Sequence, residues 1–117
     1  MTWAVGFAEE FKVEFDTFSE LVQDELLLNA RLLEEFGPQL GRPHVDTLKG
    51  SDYANMKELR FRAEGGVWRV AFAFDPQRNA ILLVAGDKSG TSPARFYKRL
   101  IEKADRRYKE HLQRTGE

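Results

Sequence analysis

From Glu9 onward, apolar positions recur every three or four residues, with Phe11, Phe15 and Phe18 forming one stripe. That spacing returns side chains to one face of an α-helix, so a helix packed on a core is predicted from Glu9. Ahead of it, TWAVGF is rich in Trp, Val and Phe and predicts a short strand. Leu21, Val22, Leu26, Leu33 and Phe36 continue the helical pattern, with Asp16 or Ser19 available as a cap, so two helices or one broken helix fit. Gly37-Pro38 is a strong stop: glycine accepts a left-handed cap and proline cannot continue a helix. Residues 38–56 carry further glycines and prolines and predict a connecting loop with little regular structure.

The period then changes to two. Leu59 and Phe61 alternate with Glu58, Arg60 and Arg62, and Trp68, Val70, Phe72 and Phe74 alternate with Val67, Arg69, Ala71 and Ala73. Between them Gly65-Gly66 predicts a tight hairpin turn with positive φ. Asp75–Asn79 predicts a second turn, into the strand AILLVA. Ser92-Pro93 then predicts a final helix to about Gln113, with Phe96, Leu100, Ala104, Tyr108 and Leu112 at spacings of four. The order β-α-α-β-β-β-α predicts an α+β domain: a small antiparallel sheet with two N-terminal helices on one face and a C-terminal helix, all helices expected on that same face.

At 117 residues this is expected to be one domain, 1–117. No apolar run approaches the ~20 residues of a membrane span, and no secretory signal is visible, so a cytoplasmic protein without membrane contact is expected. The absence of cysteine excludes disulfides, thiolate chemistry and zinc-ribbon sites. The net charge of −1 hides an asymmetry: residues 1–58 hold 5 basic against 12 acidic side chains, and residues 59–117 hold 13 against 7. This is either the ordinary solvated face of charged helices or a basic half suited to a polyanion.

Strand alternation sends Glu58, Arg60, Arg62 and Arg69 to the face opposite Leu59, Phe61, Trp68, Val70 and Phe72, and hairpin pairing puts them on a common side. One acid among guanidinium groups suits a phosphodiester, because arginine binds phosphate oxygens bidentately and stays charged. The same arginines on a solvated sheet face also serve solubility and cross-strand pairing, and alternation alone favours that plainer role. Gly86–Ser92 is no phosphate-cradling P-loop, since the G-x-x-x-x-G-K-S/T spacing is missing. His44 and His111 offer neither a metal motif nor an acid–base pair. No metal or cofactor is expected.

The ordered run KELRFR, GGVWRVAF, ILLVAGDK and an aromatic-bearing helix resembles the RelE/HigB superfamily of bacterial toxins, in its phage-derived, HigB-like host-killing branch. The motifs cover roughly residues 45–112. The resemblance implies a toxin of a toxin–antitoxin pair that cuts mRNA in the ribosomal A site. It implies as partners the ribosome, mRNA and an adjacently encoded helix-turn-helix (HigA-like) antitoxin, with operator DNA reached only through that antitoxin. The arginine of the family's E-L-R strand falls on Arg60, and that of its Y-R-V strand on Arg69, with Trp68 in place of the usual aromatic. The basic residue after the last strand falls on Lys88 and the following aromatic on Tyr97. At Glu58 some members carry lysine, and others use a glutamate as base. Glu58, Arg60, Arg69, Lys88 and Tyr97 are thus the implied catalytic set, with Arg62, Trp68 and Arg95 as substrate contacts. Many relatives have two or three basic residues after the last strand, whereas here Asp87 and Ser89 flank a lone Lys88, and the spacer to Tyr97 is longer. Two alternatives stay open: a gyrase-poisoning toxin of the same fold, and a decayed toxin that only binds its antitoxin.

Overall fold

The computed structural model describes residues 2–116. Its elements run β1 (Ala4–Phe7), α1 (Glu9–Phe15), α2 (Glu20–Phe36), a 3₁₀ turn (Gly37–Gln39), β2 (Val45–Thr47), β3 (Met56–Ala63), β4 (Gly66–Phe74), β5 (Asn79–Asp87) and α3 (Pro93–Arg114). The five strands form one sheet in the order β1-β5-β4-β3-β2, antiparallel except for β1, which runs parallel to β5.

The helix boundaries follow local chemistry. Ser19 Oγ accepts the Val22 N–H at the start of α2, and Ser92 Oγ accepts the Arg95 N–H at the start of α3 with Pro93 behind it. Both satisfy an amide that the first helical turn leaves unpaired. Gly37 ends α2 at φ +56° while its N–H bonds the Leu33 carbonyl. The segment Asp16–Ser19 separates α1 from α2, so there are two helices rather than one broken helix.

Three expectations are corrected. The hairpin turn has positive φ at Glu64 and Gly65, and Gly66 already begins β4. Gly66 is needed for another reason: a Cβ there would lie 2.6 Å from Asp87 Oδ2. Residues 38–56 are not featureless, because Val45–Thr47 pairs with Lys57–Leu59 as an edge strand too short for alternation to reveal. The helices do not share one face. Helices α1 and α2 cover one side of the sheet, burying Phe11, Val22, Leu26 and Leu33 on Leu59, Phe61, Val70, Phe72 and Leu82. Helix α3 covers the other, burying Leu100, Ala104 and Tyr108 on Met56, Ala71, Ala73, Ile81, Leu83 and Val84.

A β-bulge makes the second layer fit. Ala71 pairs with Val84 but Phe72 with Leu82, so Leu83 is an extra residue in β5. Leu83 and Val84 consequently both join the α3 core. Arg107 spans the two layers from α3, donating to the Leu83 carbonyl at 2.8 Å and to Glu14 of α1 at 2.6 and 2.8 Å. No helix among the described residues is long and apolar enough to cross a membrane.

Candidate active site

The register of β3 and β4 sets Arg60 opposite Arg69, Glu58 opposite Ala71 and Arg62 opposite Val67. On this face α3 covers the middle of the strands but starts beside their turn-proximal half, so the charged residues lie along the helix margin. Glu58 and Arg69 are consequently only 7% and 6% exposed, not displayed on an open sheet. A buried carboxylate and guanidinium each need partners. Arg69 Nε stands 3.4 Å from Glu58 Oε1, too poorly aligned for a hydrogen bond, while its Nη1 donates to the Trp68 carbonyl at 2.9 Å.

The partner that completes Glu58 comes from α3: the Tyr97 hydroxyl donates to Glu58 Oε1 at 2.8 Å. Burial first, then this bond to Glu58, raises the Tyr97 phenol above its ordinary value and keeps it a donor. Glu58 Oε2 is in no hydrogen bond among the described residues. Glu58 and Tyr97 together line a hollow whose other wall is Arg42, Asp46, Thr47, Leu48 and Lys49. That wall belongs to the segment expected to be a plain loop, so Lys49 and Arg42 were missed. Their only signal was basic residues near glycines and a proline, which is too common to notice.

Lys88 leaves the end of β5, anchored by its N–H on the Val67 carbonyl at 2.8 Å, and its Nζ lies 5.8 Å from the Tyr97 ring centroid. Burial first, then repulsion from Arg69 and Arg60, lowers the Lys88 ammonium from its ordinary value. The neighbouring Asp87 does not neutralise it. Asp87 Oδ1 instead accepts the Val67 N–H, the Ser89 N–H and the Ser89 hydroxyl, fixing the loop that presents Lys88. Those bonds outweigh burial and hold the Asp87 carboxyl below its ordinary value.

Arg60, Arg62 and Arg69 line an adjacent hollow with Pro43 and Val67, Arg62 being the most exposed of the three. Two expected substrate contacts are not brought to this group. Trp68 faces the other layer, its ring centroid 5.2 Å from that of Phe18 and 6.2 Å from that of Phe61, because period-two alternation opposes it to Arg69. Arg95 is exposed on the first turn of α3 and, among the described residues, makes no hydrogen bond or ion pair with the cluster through its side chain. Among the described residues no group of three or more His, Asp or Glu is placed to hold a metal ion. The assembled groups are a partnered carboxylate with one free oxygen, a tyrosine donor, two arginines and a lysine of depressed basicity.

The family model of the phage-derived protein Gp49-like family matches residues 13–109. The chain is 50% identical over 82 residues to a putative toxin HigB2 of Mycobacterium tuberculosis, an alignment covering 69% of this chain and 40% of that protein. It is 53% identical over 76 residues to a putative toxin HigB3 of the same organism, covering 65% and 64% respectively. The chain thus spans less than two thirds of the length of either relative. Its fold matches a free-state arginine double mutant of the E. coli toxin RelE, with a TM-score of 0.62 over 88% of this chain and 97% of that chain, at 14% identity. It also matches a chain of the archaeal RelE–RelB complex of Pyrococcus horikoshii, with a TM-score of 0.55 over 78% and 100%, at 17% identity. The chain belongs to the phage-derived Gp49-like family and is built on the fold of RelE.

Proposed function

We propose that this chain is the toxin of a toxin–antitoxin pair and a metal-independent endoribonuclease acting on ribosome-bound mRNA in the cytoplasm. The observation that carries the reading is the convergence of Glu58, Arg69 and Tyr97 from three elements, with Arg60 and Lys88 at the margin. The reaction needs nothing outside this set. Glu58 Oε2 takes the proton of the substrate 2′-hydroxyl, whose oxygen attacks the adjacent phosphorus. Arg69 and Arg60 stabilise the charge that develops on the phosphate oxygens. Lys88 protonates the departing 5′-oxygen, a role favoured by its lowered basicity, and leaves a 2′,3′-cyclic phosphate. Tyr97 orients the base by holding Oε1.

Cleavage of mRNA on programmed ribosomes, compared with the same RNA free in solution, tests this. Glu58→Gln or Arg69→Ala is expected to cut the rate by about 10²–10³, the cost of losing one preorganised transition-state group. Full cleavage by Arg69→Ala overturns the assignment. Neutralisation is proposed to come from the adjacently encoded helix-turn-helix antitoxin, whose acidic segments complement the Arg60–Arg62–Lys88 margin.

One observation favours a second reading. Glu58 and Arg69 are both nearly buried, paired as ions, and each held by one further bond inside the protein, as a structural strut would be. On that reading the chain is a decayed toxin that binds its antitoxin without cutting RNA. A wild-type chain that binds the antitoxin and leaves growth and mRNA intact selects it.

A further inference from the structure

Helix α2 has two apolar sides, and only one is used by the fold. Val22, Leu26, Ala30 and Leu33 enter the core. Leu21, Leu28, Leu32 and Phe36, spaced by seven, four and four, fall on another face at 3.6 residues per turn. Leu21 is 63% exposed, Leu28 56% and Phe36 46%, while Leu32 is half-buried at the margin. Leu28, Leu32 and Phe36 are contiguous, with Leu21 one turn beyond Glu25, and such a run on one helix differs from scattered surface leucines and marks a contact surface.

The charges beside the stripe identify what covers it. Helix α2 carries Glu20, Asp24, Glu25, Glu34 and Glu35 against a single Arg31, and none of the six is in an ion pair among the described residues. Helix α1 is acidic too, but its acids are already used: Glu9 pairs with Arg114, Glu10 with Arg106 and Glu14 with Arg107. The negative field of the N-terminal half is therefore left uncompensated on α2. A second copy of this chain on the same stripe would set acid against acid. Nucleic acid and an anionic lipid surface are repelled for the same reason. The complement is an amphipathic helix with an apolar seam and Lys or Arg placed to meet Glu25 within the stripe and Asp24 and Glu35 along its solvent flank.

We infer that the Leu21–Leu28–Leu32–Phe36 face of α2 is the docking surface for a basic-flanked amphipathic helix of a partner protein. The inference uses no residue of the proposed nuclease site and stands or falls without it. Helices α1 and α2 cover the sheet face opposite the one that carries Glu58, Arg69 and Tyr97. A partner seated on α2 therefore leaves the hollow beside Glu58 open, and acidic segments directed at the arginines would bind elsewhere.

Two synthetic helices with the same leucine seam, one flanked by Lys and one by Glu, are titrated into the full chain by calorimetry and by amide chemical-shift mapping. The Lys-flanked helix is expected to bind with shifts over residues 20–36, weakening as salt rises. Leu28→Glu, at an exposed position, is expected to keep the dispersion of the wild-type spectrum and to bind at least about tenfold more weakly. The Glu-flanked helix is expected not to bind. The inference is overturned by no binding of the Lys-flanked helix, by equal binding of the two helices, or by shifts confined to the Glu58 face. Concentration-dependent self-association abolished by Leu28→Glu also overturns it, in favour of a second copy.

Discussion

Lys88 and Glu58 show how single residues acquire chemistry from neighbours distant in the chain. The lysine sits near two arginines, and its ammonium is lowered by burial and by their repulsion, with Glu58 opposing. Direct observation of the Lys88 side chain by NMR titration is expected to find it deprotonating below the ordinary lysine value of 10.5. Arg60→Ala removes one repelling charge, so the titration is expected to move to higher pH; a shift downward, or none, contradicts the arrangement. As a proton donor Lys88 must be charged, so cleavage declines as pH rises through this lowered value, and that basic limb should move upward in the same variant. Alternation in the sequence was enough to put Arg60, Arg62, Arg69 and Glu58 on one side. It said nothing of Tyr97, which reaches Glu58 across 39 positions because α3 lies along the same face.

At the level of elements, α3 is both a core helix and a clamp. Its apolar stripe was legible from spacings of four, but not which face of the sheet it would cover, since either side offers alternating apolar positions. The bulge at Leu83 decides this in part by sending two consecutive large residues, Leu83 and Val84, to the α3 side. Arg107 then ties α3 to α1 through Glu14, with its Nε 3.2 Å from Glu10 but not aligned for a hydrogen bond. Removing a buried cation strands its acid and the Leu83 carbonyl, so Arg107→Ala is expected to lower stability by about 3 kcal/mol in urea unfolding. Loss of under about 1 kcal/mol would show that the clamp contributes no more than an exposed ion pair. By contrast Arg42–Asp46, four residues apart across the turn into β2 and largely solvated, should be nearly neutral to Arg42→Ala.

Over the whole molecule, the opposed charges of the two halves are partly folded onto each other. Acids of α1 meet arginines of α3 in four ion pairs, which neutralise much of the basic C-terminal helix and leave α2 acidic. This gives the pH dependence a sign. Glu14 is lowered from its ordinary 4.5, first by its bond with Arg107, and Asp75 from 3.8, where bonds from His111 and Asn79 outweigh burial. Groups depressed on folding contribute stability that is present in full above the unfolded values and is lost as pH falls through the folded ones. Unfolding free energy is therefore expected to be level near neutrality and to fall as pH drops below about 4.5. In Arg107→Ala the Glu14 part of that fall should disappear, which thermal melts from pH 7 to pH 3 can check.

The chain by itself determined its periodic elements: a helical N-terminal stretch, though not whether it was two helices or one broken one, the β3–β4 hairpin, the strand after Asp75–Asn79 and the long final helix. Each was legible because helical and strand spacing are local properties, and because Ser19, Gly37 and Ser92-Pro93 act on their immediate neighbours. The ordered motifs also determined the family, and with it the fold of RelE. Tertiary structure decided the rest. It paired β1 parallel to β5, recruited Val45–Thr47 as an edge strand, and split the helices between two faces. It buried Glu58 with Arg69 and brought Tyr97 onto the glutamate. Those outcomes depend on which distant surfaces exclude water together, and spacing along a chain carries no record of that.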